Sequence, residues 1–174
     1  GWRMVGAFPD LPKAVLIGAP HSSNWDGIWG FAVKLAMGLD IRIIGKHQLF
    51  WWPLGPILRS FGVIAVDRTA TQGLIEQLVE RFEQQERFWL GIAPEGTRTL
   101  SPKLAPFKKG AFHLAMQAGV PIVPVVIHNA GDVAPKNEFV MRAATGRVDV
   151  LPPVDTSNWK PATVGRHVTE VRNM

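Results

Sequence analysis

"GVIAVDRTATQGLIEQLVERFEQQERFWLGIA", residues 62–93, is the stretch on which the fold turns. It opens on "GVIAV" (62–66), a short β-compatible apolar run. "TQGLIEQLVERFEQQ" (71–85) then sets Leu74, Ile75, Leu78, Val79 and Phe82 on one helical face, with acids and glutamines opposite. "FWLGIA" (88–93) follows as a buried strand. Strand, amphipathic helix and strand in succession predict an α/β domain with a largely parallel sheet.

The same alternation extends in both directions. "AVLIGA" (14–19) reads as a strand ending at Pro20, and "NWDGIWGFAVKLAMG" (24–38) as a helix carrying Ile28, Phe31, Ala32, Leu35 and Ala36 near helical spacing. "IRII" (41–44) is a strand. "AFHLAMQAG" (111–119) is a helix closed by Gly119 just past its end. "PIVPVVI" (121–127) is a strand whose two prolines predict an edge or an entry position. "FVMRAA" (139–144) and "GRVDVLP" (146–152) are expected to form a terminal hairpin. The last twenty residues, "DTSNWKPATVGRHVTEVRNM", are more polar and predict a short final helix. The expectation is one domain over residues 1–174: a largely parallel sheet flanked by helices, with its core over 14–151, a polar C-terminal segment over 152–174, and the active site at the carboxyl ends of the strands.

Composition narrows the class. The chain has 174 residues, 47% hydrophobic and 19% charged, enough apolar content to bury a sizeable core. It has no cysteine, which excludes disulfides and thiolate metal sites and fits a reducing compartment. Residues 1–10 lack a basic stretch followed by an apolar one, which reads against a secretory leader. No window approaches 18 uninterrupted apolar residues, so no membrane-spanning segment is expected. The net charge is +5, from scattered basic residues with Lys108-Lys109 the only adjacent pair. Such a balance fits a solvated surface, an anionic substrate or an anionic membrane; nucleic acid is a further possibility on charge alone. The aromatic and basic residues do not interleave as in single-strand binders, and nucleic acid is not the expected partner. "QLFWWPLGPILRSFG" (48–62) carries Trp51 and Trp52 and one charge. It reads either as core or as a segment facing lipid or an acyl chain, since tryptophan favours the membrane interface.

In an α/β sheet, the loops that leave the carboxyl ends of the strands gather at one edge. Three such loops carry ionisable residues: 20–26 with His21 and Asp26, 67–70 with Asp67 and Arg68, and 94–110 with Glu95, Arg98, Lys103, Lys108 and Lys109. His21 and Asp26 are five apart, about 140° on a continuous helix, so they share no face there. On a loop entering a helix they can meet. Ser23 then serves as N-cap and Asp26 as the acid three residues on. Two readings follow. Asp26 is only a capping acid beside a loop histidine, or it accepts from the imidazole and leaves the other ring nitrogen as a base. No second histidine lies at ligand spacing, so no metal is expected. No G-x-S-x-G elbow is present, so a serine acyl-enzyme is poorly supported. In "PEGTR" (94–98), Arg98 is either paired with Glu95 or free to hold a phosphate bidentately. "FKKG" (107–110) runs into a helix start, which also favours anions.

"HSSNWD" (21–26), "GVIAVDR" (62–68), "PEGTR" (94–98) and "VPIVPV" (120–125) resemble, in order, the four blocks of the glycerolipid acyltransferases, in particular the 1-acylglycerol-3-phosphate O-acyltransferase group. Each block alone is a weak signal; four in order across residues 21 to 125 are a strong one. The resemblance implies transfer of a fatty acyl group from acyl-CoA or acyl-carrier protein to a lysophosphatidate-type hydroxyl. It implies His21 as general base and Asp26 as its orienter, without metal, cofactor or covalent intermediate. Arg68, Glu95, Gly96, Thr97 and Arg98 would bind the acceptor, with Lys46 and Lys108 as further basic contributors. The family's usual N-terminal membrane helices are not among these residues. Either they precede this segment or "LFWWPLGPIL" (49–58) docks at the surface; a cytoplasmic protein held peripherally at a membrane is the expectation. Two alternatives stand beside this reading: an acyltransferase for a non-phosphate acceptor such as a glycolipid or an amine, and a non-catalytic basic module for membrane or nucleic acid.

Overall fold

The computed structural model describes residues 2–20, 34, 38, 40–66, 71–96, 104–128 and 146–174. Its strands are β1 (Trp2–Val5), β2 (Lys13–Ala19), β3 (Ile41–Lys46), β4 (Val63–Val66), β5 (Phe88–Ile92), β6 (Ile122–His128) and β7 (Gly146–Val150). The helices are α1 (Leu54–Ser60), α2 (Thr71–Gln84), α3 (Gly110–Ala118) and α4 (Val164–Arg172). The sheet order is β1-β7-β6-β2-β5-β3-β4. β2 to β6 run parallel, whereas β7 is antiparallel to β6 and carries β1 parallel to itself.

The register sets where these strands stop. Ile17 pairs with Ile92, and Ile44 with Ile64. Ile43 pairs with Gly91, so their successors Ile44 and Ile92 also stand side by side. Two residues on, Ala19, Pro94, Lys46 and Val66 mark a common level across β2, β5, β3 and β4. The chain then leaves this edge toward His21, Glu95, His47 and Asp67.

Alternation across the pleat gives the sheet two packed faces. Val15, Ile17, Phe88, Leu90 and Ile122 face one core, covered by Leu78 and Phe82 of α2, by Phe112 and Leu114 of α3, and by Val164, Val168 and Val171 of α4. Ala14, Trp89, Val123, Val125, Val148 and Val150 face the other. Phe82 meets Phe88 edge-on with centroids 4.7 Å apart. Gly119 ends α3 at φ 64°, the left-handed position expected of it.

Four readings of the sequence are corrected or outrun. β6 is not an edge strand: it lies between β7 and β2. Pro124 fits because its carbonyl accepts from Leu151 N–H at 2.9 Å while only the reciprocal bond is lost. Residue 124 faces 151, yet 122 faces 154 across an isolated bridge, so the chain around Pro152 and Pro153 gains one residue there. The predicted hairpin also fails, because β6 and β1 occupy both edges of β7; residues 139–144 lie outside the described residues. The polar segment after 151 supplies part of the core. Trp159 stacks on Phe112 at 6.1 Å, and the buried Thr156 hydroxyl donates to Val120 O at 2.8 Å. Strand β1 was not expected at all. The helix expected over 24–38 lies almost wholly outside the described residues.

Phe112, fully buried between α3, Trp159 and the sheet, is expected to be among the costliest side chains to truncate. Phe112→Ala should lose about 3–5 kcal/mol in equilibrium urea unfolding. A loss under about 1 kcal/mol would mean that the C-terminal segment does not close this core.

Candidate functional site

The edge to which β2, β3, β4 and β5 deliver their carboxyl ends is the candidate site. Glu95 comes three residues after the end of β5 and is 2% exposed. A carboxylate so buried needs donors. One is the backbone N–H of Ala105, which reaches Glu95 Oε2 at 3.1 Å. Gly96 N–H donates to Ala93 O at 3.1 Å, which closes a tight turn through Pro94 and Glu95. Lys108 N–H donates to Pro94 O at 2.8 Å. The returning chain, 104–109, is thus latched to the Pro-Glu-Gly turn at two points.

Gly96 has φ 66°, where a Cβ is disfavoured. A Cβ built there would lie 2.7 Å from Lys108 Cδ and 3.0 Å from its Nζ. The lysine stem therefore crosses directly over the glycine. Helix α3 starts at Gly110, directly after Lys108-Lys109.

A second cluster lies at the same edge, on strands that sequence reasoning did not connect. His128 ends β6 and pairs across the ladder with Arg147 of β7, which pairs with Arg3 of β1. Arg147 donates to Asp149 through Nε at 2.6 Å and through Nη2 at 2.7 Å, and His128 Nε2 lies 3.1 Å from the same carboxylate. The guanidinium hydrogen bond, aided by His128, holds the Asp149 carboxyl below the usual carboxylate range. The alternation in "GRVDV" was the available signal. It was spent on a hairpin instead.

By contrast, a cavity of about 330 Å³ lined by Phe8, Leu11, Ile41, Arg87 and Trp89 opens at the amino ends of β2, β3 and β5. It is at the opposite edge of the sheet from Glu95, Lys108 and the His128–Arg147 cluster.

A sequence model of the Acyltransferase family matches residues 7–128. This chain belongs to the acyltransferase family. Among curated relatives of this acyltransferase chain, the sheep 1-acyl-sn-glycerol-3-phosphate acyltransferase alpha is 39% identical over 135 residues, 75% of this chain and 46% of the relative. The Escherichia coli 1-acyl-sn-glycerol-3-phosphate acyltransferase is 36% identical over 145 residues, 81% of this chain and 57% of the relative. The chain thus spans about half the length of the curated relatives it matches. The crystal structure of the Thermotoga maritima 1-acyl-sn-glycerophosphate acyltransferase superposes with a TM-score of 0.75 at 22% identity, covering 98% of this chain and 68% of that one. That likeness shows the fold, a mostly parallel sheet flanked by helices.

Of the site residues read from the sequence, Glu95, Gly96 and Lys108 are brought together as described. Lys46 is the last residue of β3, opposite Val66. His21, Asp26, Arg68, Thr97 and Arg98 lie outside the described residues. The strands that lead to His21 and Arg68 end at the level of Pro94.

Gly96→Ala should disturb this corner through Lys108 rather than through the core. The left-handed backbone costs an alanine about 1 kcal/mol, and the flexible lysine stem must swing aside. Folding should survive while turnover of an acyl-transfer assay falls. Lys108→Ala removes the obstacle, so Gly96→Ala in that background should cost less than the same change alone. Additive losses in this cycle would show that the glycine serves the backbone only.

Proposed function

We propose that this chain is the catalytic domain of a 1-acylglycerol-3-phosphate O-acyltransferase. It would move a fatty acyl group from acyl-CoA or acyl-carrier protein to the free hydroxyl of a lysophosphatidate-type acceptor. The observation that supports this most is the common level of the strand ends that lead to His21, Arg68 and Glu95. It occurs in a chain whose relatives in sheep and E. coli bear that enzyme's name.

In this reading His21 takes the proton of the acceptor hydroxyl as its oxygen attacks the thioester carbonyl carbon. Asp26 accepts from the imidazole, fixes its tautomer and stabilises the imidazolium. A tetrahedral oxyanion forms; the carbon–sulfur bond then breaks, and the imidazolium proton passes to the leaving thiolate. The products are the ester and a free thiol, with no enzyme-bound acyl group. The acyl donor is a co-substrate, and no cofactor or metal takes part. Arg68 and Arg98 hold the acceptor's phosphate with Thr97, Lys46 and Lys108 near it, so much of the rate gain is positioning. Glu95 supports this loop from within, through its bond to Ala105.

Thiol release from acyl-CoA, with lysophosphatidate added, tests the reading. His21→Ala should lower turnover by roughly 10²–10⁴-fold. Arg98→Lys should lower kcat/KM by about 10- to 150-fold through loss of a bidentate charged hydrogen bond. The Arg98→Lys effect should shrink with monoacylglycerol. Equal losses on both acceptors would move the non-phosphate acceptors to the front, and thiol release that ignores any acceptor would end the transferase reading.

The location that goes with this reading is a peripheral one, on the cytoplasmic side of a membrane. No helix among the described residues is long and apolar enough to cross one. Yet Trp52 is 83% exposed and Trp51 61% exposed, with Leu49, Ile57 and Phe61 also on the surface. Trp51 and Trp52 are therefore not core residues, although Gly55 is buried and Phe50, Leu54 and Leu58 are half-buried. Arg59 sits over Phe50 with its guanidinium 5.5 Å from the ring centre, which places a cation among the exposed apolar groups. The ridge starts three residues past β3, at the site edge, where an apolar substrate would arrive. Because both rings are exposed, replacing Trp51 and Trp52 with serine should leave the melting temperature nearly unchanged and weaken sedimentation with phosphatidylglycerol vesicles. Vesicle binding equal to that of the wild type would sink the lipid role of the ridge.

A further inference from the structure

Arg3, Arg147 and His128 form one row across β1, β7 and β6, and alternation puts all three on the same face of the sheet. Arg3 and Arg147 are direct partners in the ladder. Like charges directly opposite destabilise a sheet. The described residues offer this row one acid, Asp149, and it is committed to Arg147 and His128. None of the described residues forms an ion pair with Arg3. Of the five N–H donors on Arg147, Asp149 takes two, so three remain for something else. Asp149 is a positioning residue here: its two bonds fix the guanidinium plane, leaving its outer donors preorganised for a planar or tetrahedral oxyanion.

The row also lies at the edge where β2 ends. Val126 is the partner of Ala19, the last residue of the strand leading to His21, and His128 lies two residues beyond Val126. β7 is two strands from β2 in the sheet, roughly 10 Å at about 4.8 Å per strand.

We propose that Arg3, Arg147 and His128 form a phosphoryl-binding strip at the site edge, separate from the block residues Arg68 and Arg98. Its ligand rests on the transferase reading above. An acyl donor carries phosphate at the far end of a long flexible arm from its thioester. An acceptor carries its phosphate close to its hydroxyl. A strip that runs from one to three strands away from β2, with its two arginines on the outer two, fits the first. An anionic lipid headgroup presents the same group, and the two sources separate experimentally.

The test measures dissociation constants of the whole chain for coenzyme A by calorimetry and for phosphatidylglycerol vesicles by sedimentation, at one fixed salt concentration. Arg3→Gln breaks no described ion pair. Arg147→Gln removes the centre of the row. Arg87→Gln, at the opposite edge beside Asp10, controls for the loss of one positive charge. Each of the first two should weaken binding about tenfold, the loss of one charged hydrogen bond, while Arg87→Gln changes it less than about twofold. Weakening confined to coenzyme A supports the strip and assigns it to the donor; weakening confined to vesicles supports it and assigns it to a headgroup. Wild-type binding in folded Arg3→Gln and Arg147→Gln proteins, or an equal effect in Arg87→Gln, overturns the strip and leaves the transferase reading standing. A wild type that binds coenzyme A in this pattern yet transfers to no acceptor removes that reading and keeps the strip.

Discussion

Parallel pairing is the constraint on which the rest depends. Strands that run the same way must all end at the same edge, and each must be brought back by a crossover before the next begins. In this chain the pairs Ile17–Ile92, Ile43–Gly91 and Ile44–Ile64 hold four strands to one level. Polar residues widely separated in sequence are thereby delivered side by side without any contact between their loops being needed to align them. A slip of one residue in β5 would turn Leu90 from one core to the other and move Glu95 out of its buried position. The apolar pattern that stabilises the sheet is thus the same pattern that places the site.

Glu95 shows how the edge is then finished. A buried carboxylate is costly unless donors meet it, and one donor here comes from Ala105, ten residues on. The long polar loop after β5 is folded back by that bond and by Lys108 N–H on Pro94. The outcome is a lysine stem lying across a glycine that has no side chain to block it. The carboxylate's visible role is to brace the loop from inside, whereas the sequence reading placed it only against Arg98 or a substrate hydroxyl.

Much of this was legible in the residues alone. Helix α2 and strands β2, β3, β4 and β5 follow from periodicity, because their burial is one-sided or complete and their residues repeat accordingly. Gly119 marked the end of α3 through its need for a positive φ. The four blocks and their order identified the family. What failed did so for physical reasons. Pro121 and Pro124 suggested an edge or an entry; Pro121 does stand at the entry of β6, but the strand is no edge, and Pro124 is tolerated inside the sheet because its missing donor falls at a break in the neighbouring ladder. The segment 152–174 looked polar because the few residues that turn inward, among them Val154, Thr156, Trp159 and three spaced valines of α4, are too few to dominate its composition. β1 was missed because a four-residue strand pairing with a partner some 140 residues away leaves no local periodic trace.

The two ends of the site edge differ in chemistry, and the sheet order explains how. On the connection that leaves β3 the chain turns apolar surface outward, in Leu49, Trp51 and Trp52. Next to β6, β7 and β1 it spends its charge outward, in His128, Arg147 and Arg3. Exposed apolar clusters and opposed like charges are both unfavourable in an isolated domain. The charged row cannot be relieved by repacking, because it is anchored on strand ends whose register is set by the core, whereas the apolar cluster lies on the connection from β3 to β4. A molecule with a long apolar tail and a phosphoryl group, as the proposed acyl transfer requires, would cover both at once, and the placing of the two patches supports that proposal.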